Sequence, residues 1–203
     1  MVPREPEKET GRVEAFSDGV FAIAITLLII EVKVPRDGPG TLERRLLEQW
    51  PAYAAFLNSF LTIGIMWINH HRIFTHVKRV DHTLMVHNGL LLLFVTVVPF
   101  PTAVLAEHFN GEGSRLAATI YSMNGMMIAI CFNVLWRHGR RFVAADADRG
   151  TMRRITIEYR VAPLLYLACA LAARWSVPAS VAMNTALAVA FALPLGSRRT
   201  SRM

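Results

Sequence analysis

Long uncharged stretches alternate along this chain with short clusters of charged residues. Six apolar runs are candidates to cross the membrane, and all but the fifth approach or exceed the roughly 20 residues that a helix needs to cross a bilayer core about 30 Å thick. They cover residues 13–34, 50–68, 83–106, 116–136, 161–173 and 175–195. None of them alternates apolar and polar positions, as a membrane-spanning β-strand must. The pattern therefore predicts an all-α, polytopic membrane protein with six transmembrane helices.

The fifth run is the weakest of the six, because Arg160 and Arg174 lie close to its two ends. A helix there must extend back to about Ile155 and carry Glu158 with it in order to cross the core. If this run does not cross, the chain has five spans.

The composition supports the membrane interpretation. Hydrophobic residues make up 53% of the chain and charged residues 18%, whereas soluble domains carry about 25% charge. Both cysteines, Cys131 and Cys169, lie inside apolar runs and are expected to pack as small hydrophobic residues. A soluble domain, a disordered chain and a disulfide-stabilised secreted protein are all excluded.

The net charge of the chain is +7, and the placement of its basic residues indicates how the chain is oriented in the membrane. If the six runs cross in turn, the two tails lie on the same side as the second-to-third and fourth-to-fifth connections. That side carries 16 lysines and arginines, and the connections on the opposite side carry 6. Because cytoplasmic connections carry the excess of basic residues, both termini are predicted to be cytoplasmic. No nucleic acid partner is expected. Residues 1–11 are predicted to form a disordered tail, 12–197 a six-helix membrane domain, and 198–203 a basic cytoplasmic tail.

The first run has two distinct helical faces. At about 100° per residue, one face carries Phe16, Gly19, Ile23, Thr26, Leu27 and Ile30, and Asp18, Ala22, Ile25 and Ile29 fall roughly opposite. An acidic residue this far into a membrane helix is costly unless it faces protein or water. Ser17 and Asp18 are therefore predicted to bond polar groups on neighbouring helices, although ion or proton binding at Asp18 stays open.

Three segments of the first half resemble a known family. Arg12-x-x-x-Phe16-Ser17-Asp18, followed by Gly-Val-Phe-Ala-Ile-Ala-Ile-Thr-Leu-Leu, resembles the first helix of the lysosomal potassium channel family called transmembrane protein 175. The second run ends in Trp67-Ile68-Asn69-His70-His71, which resembles the family's Trp-x-x-His-His element. Residues 98–102, Val-Pro-Phe-Pro-Thr, are similar to the end of its third helix.

The resemblance implies a potassium-selective channel in the cell membrane, with the first helix lining the pore. Because this chain carries one copy of the motif, the resemblance implies that four copies of the chain assemble as a homotetramer surrounded by lipid. Matching the motif residue by residue assigns an aliphatic constriction to Ile23, with Leu27 and Ile30 completing the narrow region. A hydroxyl layer that contributes to selectivity matches Thr26. No cofactor is implied, and the ligand is the permeant potassium ion. The connection 31–49 has no match in the family.

Other chemistries receive less support from the residues. Five of the seven histidines lie between His70 and His87, but their spacings of five residues do not suit a helical metal site. Phosphate-binding loops and nucleophile elbows are absent from the sequence, so an enzyme is not expected. A carbonyl filter of the Thr-Val-Gly-Tyr-Gly type and an arginine-rich voltage sensor are absent as well.

Two further roles remain open at this stage. His70 and His71 are expected to bond at the cytoplasmic end, near Arg12 and Asp18, and histidine titrates near neutral pH. The alternative function is thus a proton-coupled or proton-conducting transporter that uses Asp18 and the histidines, and a non-conducting scaffold is a third.

The arginines between 137 and 160 are expected to set topology and to contact anionic lipid headgroups.

Overall fold

The computed structural model describes residues 10–36, 39–145 and 147–192, and all regular elements within them are helices. They are α1 (Gly11–Leu27), continued by a 3₁₀ turn (Leu28–Glu31), α2 (Leu42–Glu48), α3 (Trp50–His76), α4 (His82–Val97), α5 (Pro99–His108), α6 (Ser114–Gly139), α7 (Arg149–Ala172) and α8 (Val177–Ala192). The predicted tails, 1–11 and 198–203, lie outside the described residues apart from Thr10 and Gly11.

Within the described residues, five helical segments are long and apolar enough to cross a membrane. They are Gly11–Glu31, Trp50–His76, His82–His108, Ser114–Phe142 and Arg149–Ala172. The prediction of a multi-pass helical membrane protein is therefore confirmed. The fifth run is a full-length helix because α7 extends back through Glu158 to Arg149. The described part of α8 has 16 residues, so the sixth crossing stays a prediction.

Local sequence explains where the helices begin and break. The Asp81 carboxylate accepts the Leu84 backbone N–H at 2.7 Å and so caps α4. This bond, with a second one from His138, lowers the pKa of Asp81 below its usual range. The third run is divided into α4 and α5 at Val98, since Pro99 lacks the N–H that would continue the ladder.

Contacts between connections show which helix ends lie together. Val77, after α3, forms an isolated bridge with Val143, after α6, and Asp81 bonds His138 nearby. At the other end, Lys33 pairs with Glu107 at the close of α5. The first four candidate spans therefore alternate in direction, as the alternating charge clusters predict.

A buried polar network joins four helices at the centre of the bundle. Asn58 of α3 donates to the Tyr121 hydroxyl of α6 at 2.9 Å and accepts from Thr185 of α8 at 2.8 Å. Ser59 lies within hydrogen-bond distance of Thr102 and of Tyr121. Lipid tails offer no hydrogen-bond partners, so the side chains of these helices must satisfy one another.

The most extensive helix pair is α6 with α7, and a glycine allows their closest approach. A Cβ at Gly125 would lie 2.8 Å from the ring of Tyr166, which is too short for any ordinary contact. Tyr166 is itself buried. The absence of a side chain at residue 125 therefore sets the spacing of the two helices.

The close approach predicts that Gly125→Ala destabilises the bundle by about 1–3 kcal/mol, because the added methyl group overpacks the contact with Tyr166. The measurement is the thermal midpoint of the purified protein in detergent. Gly64→Ala is the matched control, since a Cβ at Gly64 meets no atom within 4 Å. An equal loss of stability in both variants would show that helix spacing at Gly125 is not the cause.

Candidate functional site

Helix α1 is the least covered of the candidate spans. Within its most apolar stretch 22% of the residues are buried, compared with 33–44% in the other four. Its buried residues, Ser17, Phe21, Ala24 and Leu28, recur at helical spacing and form one stripe. This stripe packs against α3 and α4. One face of α1 therefore holds the helix to the bundle and the rest remains open.

The predicted pore residues lie on the open face. Ile23, Leu27 and Ile30 are 59%, 41% and 66% exposed. Thr26 is also exposed, and Phe16 and Gly19 continue the exposed face toward the start of the helix. The described part of the chain thus leaves the whole predicted stripe uncovered.

The open face is wider than the helical wheel predicts. Asp18, Ala22 and Ile29 are exposed as well, and only Ile25 of that opposite set is partly buried against the core. The α-helix ends at Leu27, so Ile30 belongs to the following 3₁₀ turn. Of the residues that the helical wheel places opposite the predicted stripe, Ile25 is therefore turned toward the core, whereas Asp18, Ala22 and Ile29 are exposed like the stripe itself.

The Thr26 hydroxyl has a defined orientation. It donates to the Ile23 carbonyl oxygen at 2.9 Å, one turn back along α1. Because its proton is used in this bond, the oxygen lone pairs of Thr26 remain available on the exposed face. Such an oxygen can accept a hydrogen bond from water or contact a cation.

A directional chain of buried hydrogen bonds anchors α1. His70 of α3 donates from Nε2 to Asn88 Oδ1 of α4 at 2.8 Å, and Asn88 Nδ2 donates to Ser17 Oγ at 3.0 Å. Ser17 in turn donates to the Val13 carbonyl. All three side chains are at least 97% buried. The predicted bonding of Ser17 to neighbouring helices is thus present, and Asn88 is the partner that sequence reasoning missed.

Asp18 forms a separate, exposed contact. Its carboxylate accepts the Trp67 indole N–H at 2.8 Å, and the Trp67 ring stacks on His71. Among the described residues no hydrogen bond or ion pair joins Arg12 to Asp18, and His71 is linked to Asp18 through the Trp67 ring. Arg12 instead lines an open cavity of about 580 Å³ with Phe16 and Asn88.

A second intramembrane polar contact also escaped the sequence analysis. Arg72 of α3 pairs with Glu158 of α7, and its guanidinium carbon lies 5.7 Å from the centroid of the Tyr159 ring. Arg72 and Glu158 lie beyond the predicted runs 50–68 and 161–173 but within α3 and α7. Two opposite charges next to apolar runs are the signal that could have paired them. The ion pair with Arg72 explains how the Glu158 carboxylate is tolerated within the candidate membrane helix α7.

These spans and buried polar contacts define an α-helical, multi-pass integral membrane protein. Its residues 12–99 match the family described as the endosomal/lysosomal potassium channel TMEM175. A potassium channel from Chamaesiphon minutus is 50% identical over 200 residues, which cover 95% of this chain and 98% of that one. The chain therefore belongs to the TMEM175 family of ion channels.

Further relatives support the same conclusion. A potassium channel from Streptomyces collinus is 52% identical over 158 residues, 73% of this chain and 77% of that protein. The endosomal/lysosomal proton channel TMEM175 of Danio rerio is 34% identical over 144 residues, 66% of this chain and 28% of that protein. The crystal structure of a lysosomal potassium-selective channel TMEM175 homolog from Chamaesiphon minutus matches with a TM-score of 0.84, covering 92% and 97% of the two chains.

The anchoring chain predicts that Asn88→Leu destabilises the protein by about 1–2 kcal/mol, because it leaves the Ser17 hydroxyl and the His70 ring without their shared partner. Thermal midpoints and the recovery of the assembled protein in detergent measure the effect. Trp67→Phe is the control: it removes only the exposed bond to Asp18 and is expected to cost less. An unchanged midpoint in Asn88→Leu would contradict the anchoring role.

Proposed function

We propose that this protein is a homotetrameric, potassium-permeable channel of the cell membrane, with α1 of each subunit lining the pore. Residues 12–197 form the channel domain in this proposal, with six spans and both termini in the cytoplasm. Two relatives that match most of their own length are named potassium channels. They support the choice of ion.

The observation that carries the proposal is the open apolar face of α1. Ile23, Leu27 and Ile30 expose large aliphatic side chains at successive turns, on the helix that the bundle covers least. One helix cannot enclose a passage, but four copies related by a rotation axis can.

An aliphatic constriction governs permeation through hydration. Moving a bare ion into apolar surroundings costs on the order of tens of kcal/mol. A ring of Ile23 side chains therefore admits hydrated or partly hydrated ions when it is wide and wet, and excludes them when it dewets. In this mechanism the side chains restrict passage and do not bind the ion.

Thr26 supplies the polar surface beside that constriction. Its hydroxyl proton is held by the Ile23 carbonyl, so four symmetry-related oxygens would present lone pairs to an ion that has lost part of its water. Potassium gives up water more readily than sodium, and such a ring would favour it modestly. The expected selectivity is weaker than that of a filter built from backbone carbonyls.

Proton conduction or proton-coupled transport is the second candidate, supported by the Danio rerio relative, which is named a proton channel, and by the exposed positions of Asp18 and His71. The two functions are separated by flux from purified protein in liposomes. A potassium channel should give potassium flux under a potassium gradient without a pH gradient. A proton-conducting or proton-coupled protein should instead move protons, and coupled transport should saturate with substrate.

The constriction predicts that Ile23→Asn increases cation flux and reduces the preference for potassium over sodium. Four amide side chains would hydrogen-bond water and remove the barrier to wetting. Reversal potentials and liposome flux measure the change.

Ile25→Asn is the matched control, because Ile25 is partly buried against the core. It is expected to damage packing and lower the thermal midpoint without altering selectivity. If Ile25→Asn changes ion selectivity while Ile23→Asn leaves it unchanged, the assigned pore face is wrong.

The hydroxyl ring predicts a different effect for Thr26→Val. Valine retains the shape of threonine but has no oxygen, so potassium selectivity should fall while tetramer recovery stays close to that of the wild type. Thr119→Val is a suitable control, since Thr119 of α6 also donates to its own helix backbone on an exposed surface. Equal selectivity in Thr26→Val and the wild type would remove Thr26 from the mechanism.

A further inference from the structure

A large cavity lies where α6 ends and α7 begins, away from α1. Its volume is about 830 Å³, within the range of small-molecule sites. Five arginines line it: Arg140, Arg141, Arg149, Arg153 and Arg160. The turn after α6 carries the first two, and α7 carries the others.

The positive charge in this cavity is not neutralised within the described part of the chain. None of the described lining residues is acidic, and no ion pair there involves any of the five arginines. The neighbouring Asp148 caps α7 through the backbone N–H groups of Gly150 and Thr151. Five positive charges around one cavity repel each other, and a bound anion would offset that repulsion.

The arginines of α7 form a ladder along one helix face. Arg149, Arg153 and Arg160 stand at i, i+4 and i+11, so they share a face over about 16 Å of helix. All three are exposed, and the segment Arg149–Ala172 is a candidate membrane span. A cation on a spanning helix is costly unless an anion or water meets it.

The cavity is also lined by apolar groups. Ala144, Met152 and Ile157 contribute to its wall. The buried Trp136 ring is fixed there by a 2.9 Å bond from its indole N–H to the Thr156 hydroxyl. Arginines next to an apolar wall fit a molecule with both an anionic and a hydrocarbon part.

We propose that this cavity is a specific binding site for the phosphate groups of an anionic phospholipid. The guanidinium groups would hold phosphate oxygens, for which their paired N–H donors are suited, and the apolar wall would contact the glycerol backbone and upper acyl chains. Because five positive charges line the site, a headgroup with two phosphates is favoured over one with a single phosphate. The proposal does not depend on ion conduction.

Titration of the intact protein in detergent with defined lipids tests the site. Cardiolipin, which has two phosphates, should bind more tightly than phosphatidylglycerol, and phosphatidylcholine should bind least. The triple variant Arg149→Gln/Arg153→Gln/Arg160→Gln should bind cardiolipin about 100-fold more weakly, at roughly 1 kcal/mol per arginine. Binding is followed by native mass spectrometry and by the thermal midpoint.

A matched triple variant separates a local site from total charge. Arg115→Gln/Arg137→Gln/Arg174→Gln removes the same charge from exposed arginines that do not line the cavity, and it should bind cardiolipin nearly as well as the wild type. Equal losses in the two triple variants would overturn the proposal. Sodium pyrophosphate supplies phosphate without hydrocarbon, and binding as tight as that of cardiolipin would overturn the assignment to a lipid.

A second variant keeps the test valid if the cavity triple does not assemble. Ala144→Trp fills the cavity without changing its charge, so it should weaken cardiolipin binding by at least tenfold. Cardiolipin binding at the wild-type level in Ala144→Trp would show that the lipid does not enter this cavity.

Discussion

The hydrogen-bond chain from His70 through Asn88 to Ser17 is the interaction on which the arrangement of α1 depends. Apolar contacts alone specify orientation poorly in a bilayer, because lipid tails solvate leucine or isoleucine as well as a neighbouring helix does. A buried polar chain has one satisfactory geometry, and it fixes the rotation of α1 about its own axis. The side that bears Ile23 and Thr26 is then left open.

The same constraint explains the other polar contacts inside the bundle. Asn58 and Tyr121 bond each other where α3 meets α6, and Arg72 pairs with Glu158 across α3 and α7. Each contact joins helices that are far apart in the chain, because a polar atom that its own helix does not satisfy must find a partner on another helix. Charged and polar residues that look like defects in apolar runs are therefore the residues that define helix neighbours.

Much of the fold was predictable from the sequence because its signals are local. Run length and hydropathy indicated five of the membrane helices, whereas the division of the third run into α4 and α5 was not predicted. Helical periodicity predicts that Ile23 and Ile25 lie on different sides of α1, and Ile25 is partly buried while Ile23 is exposed. The motif in the first run indicated the family, which the relatives confirm.

By itself, the sequence determined that the chain is a multi-pass helical membrane protein and that Ile23, Leu27 and Ile30 recur at helical spacing, since both depend on composition and spacing within one segment. Only the tertiary structure decided that Asn88 bonds Ser17, 71 residues away, and that the arginines of α7 meet Arg140 and Arg141 around one cavity. Such pairings depend on how separate helices pack against each other, and helical periodicity carries no information about the partner that a polar side chain finds across an interface.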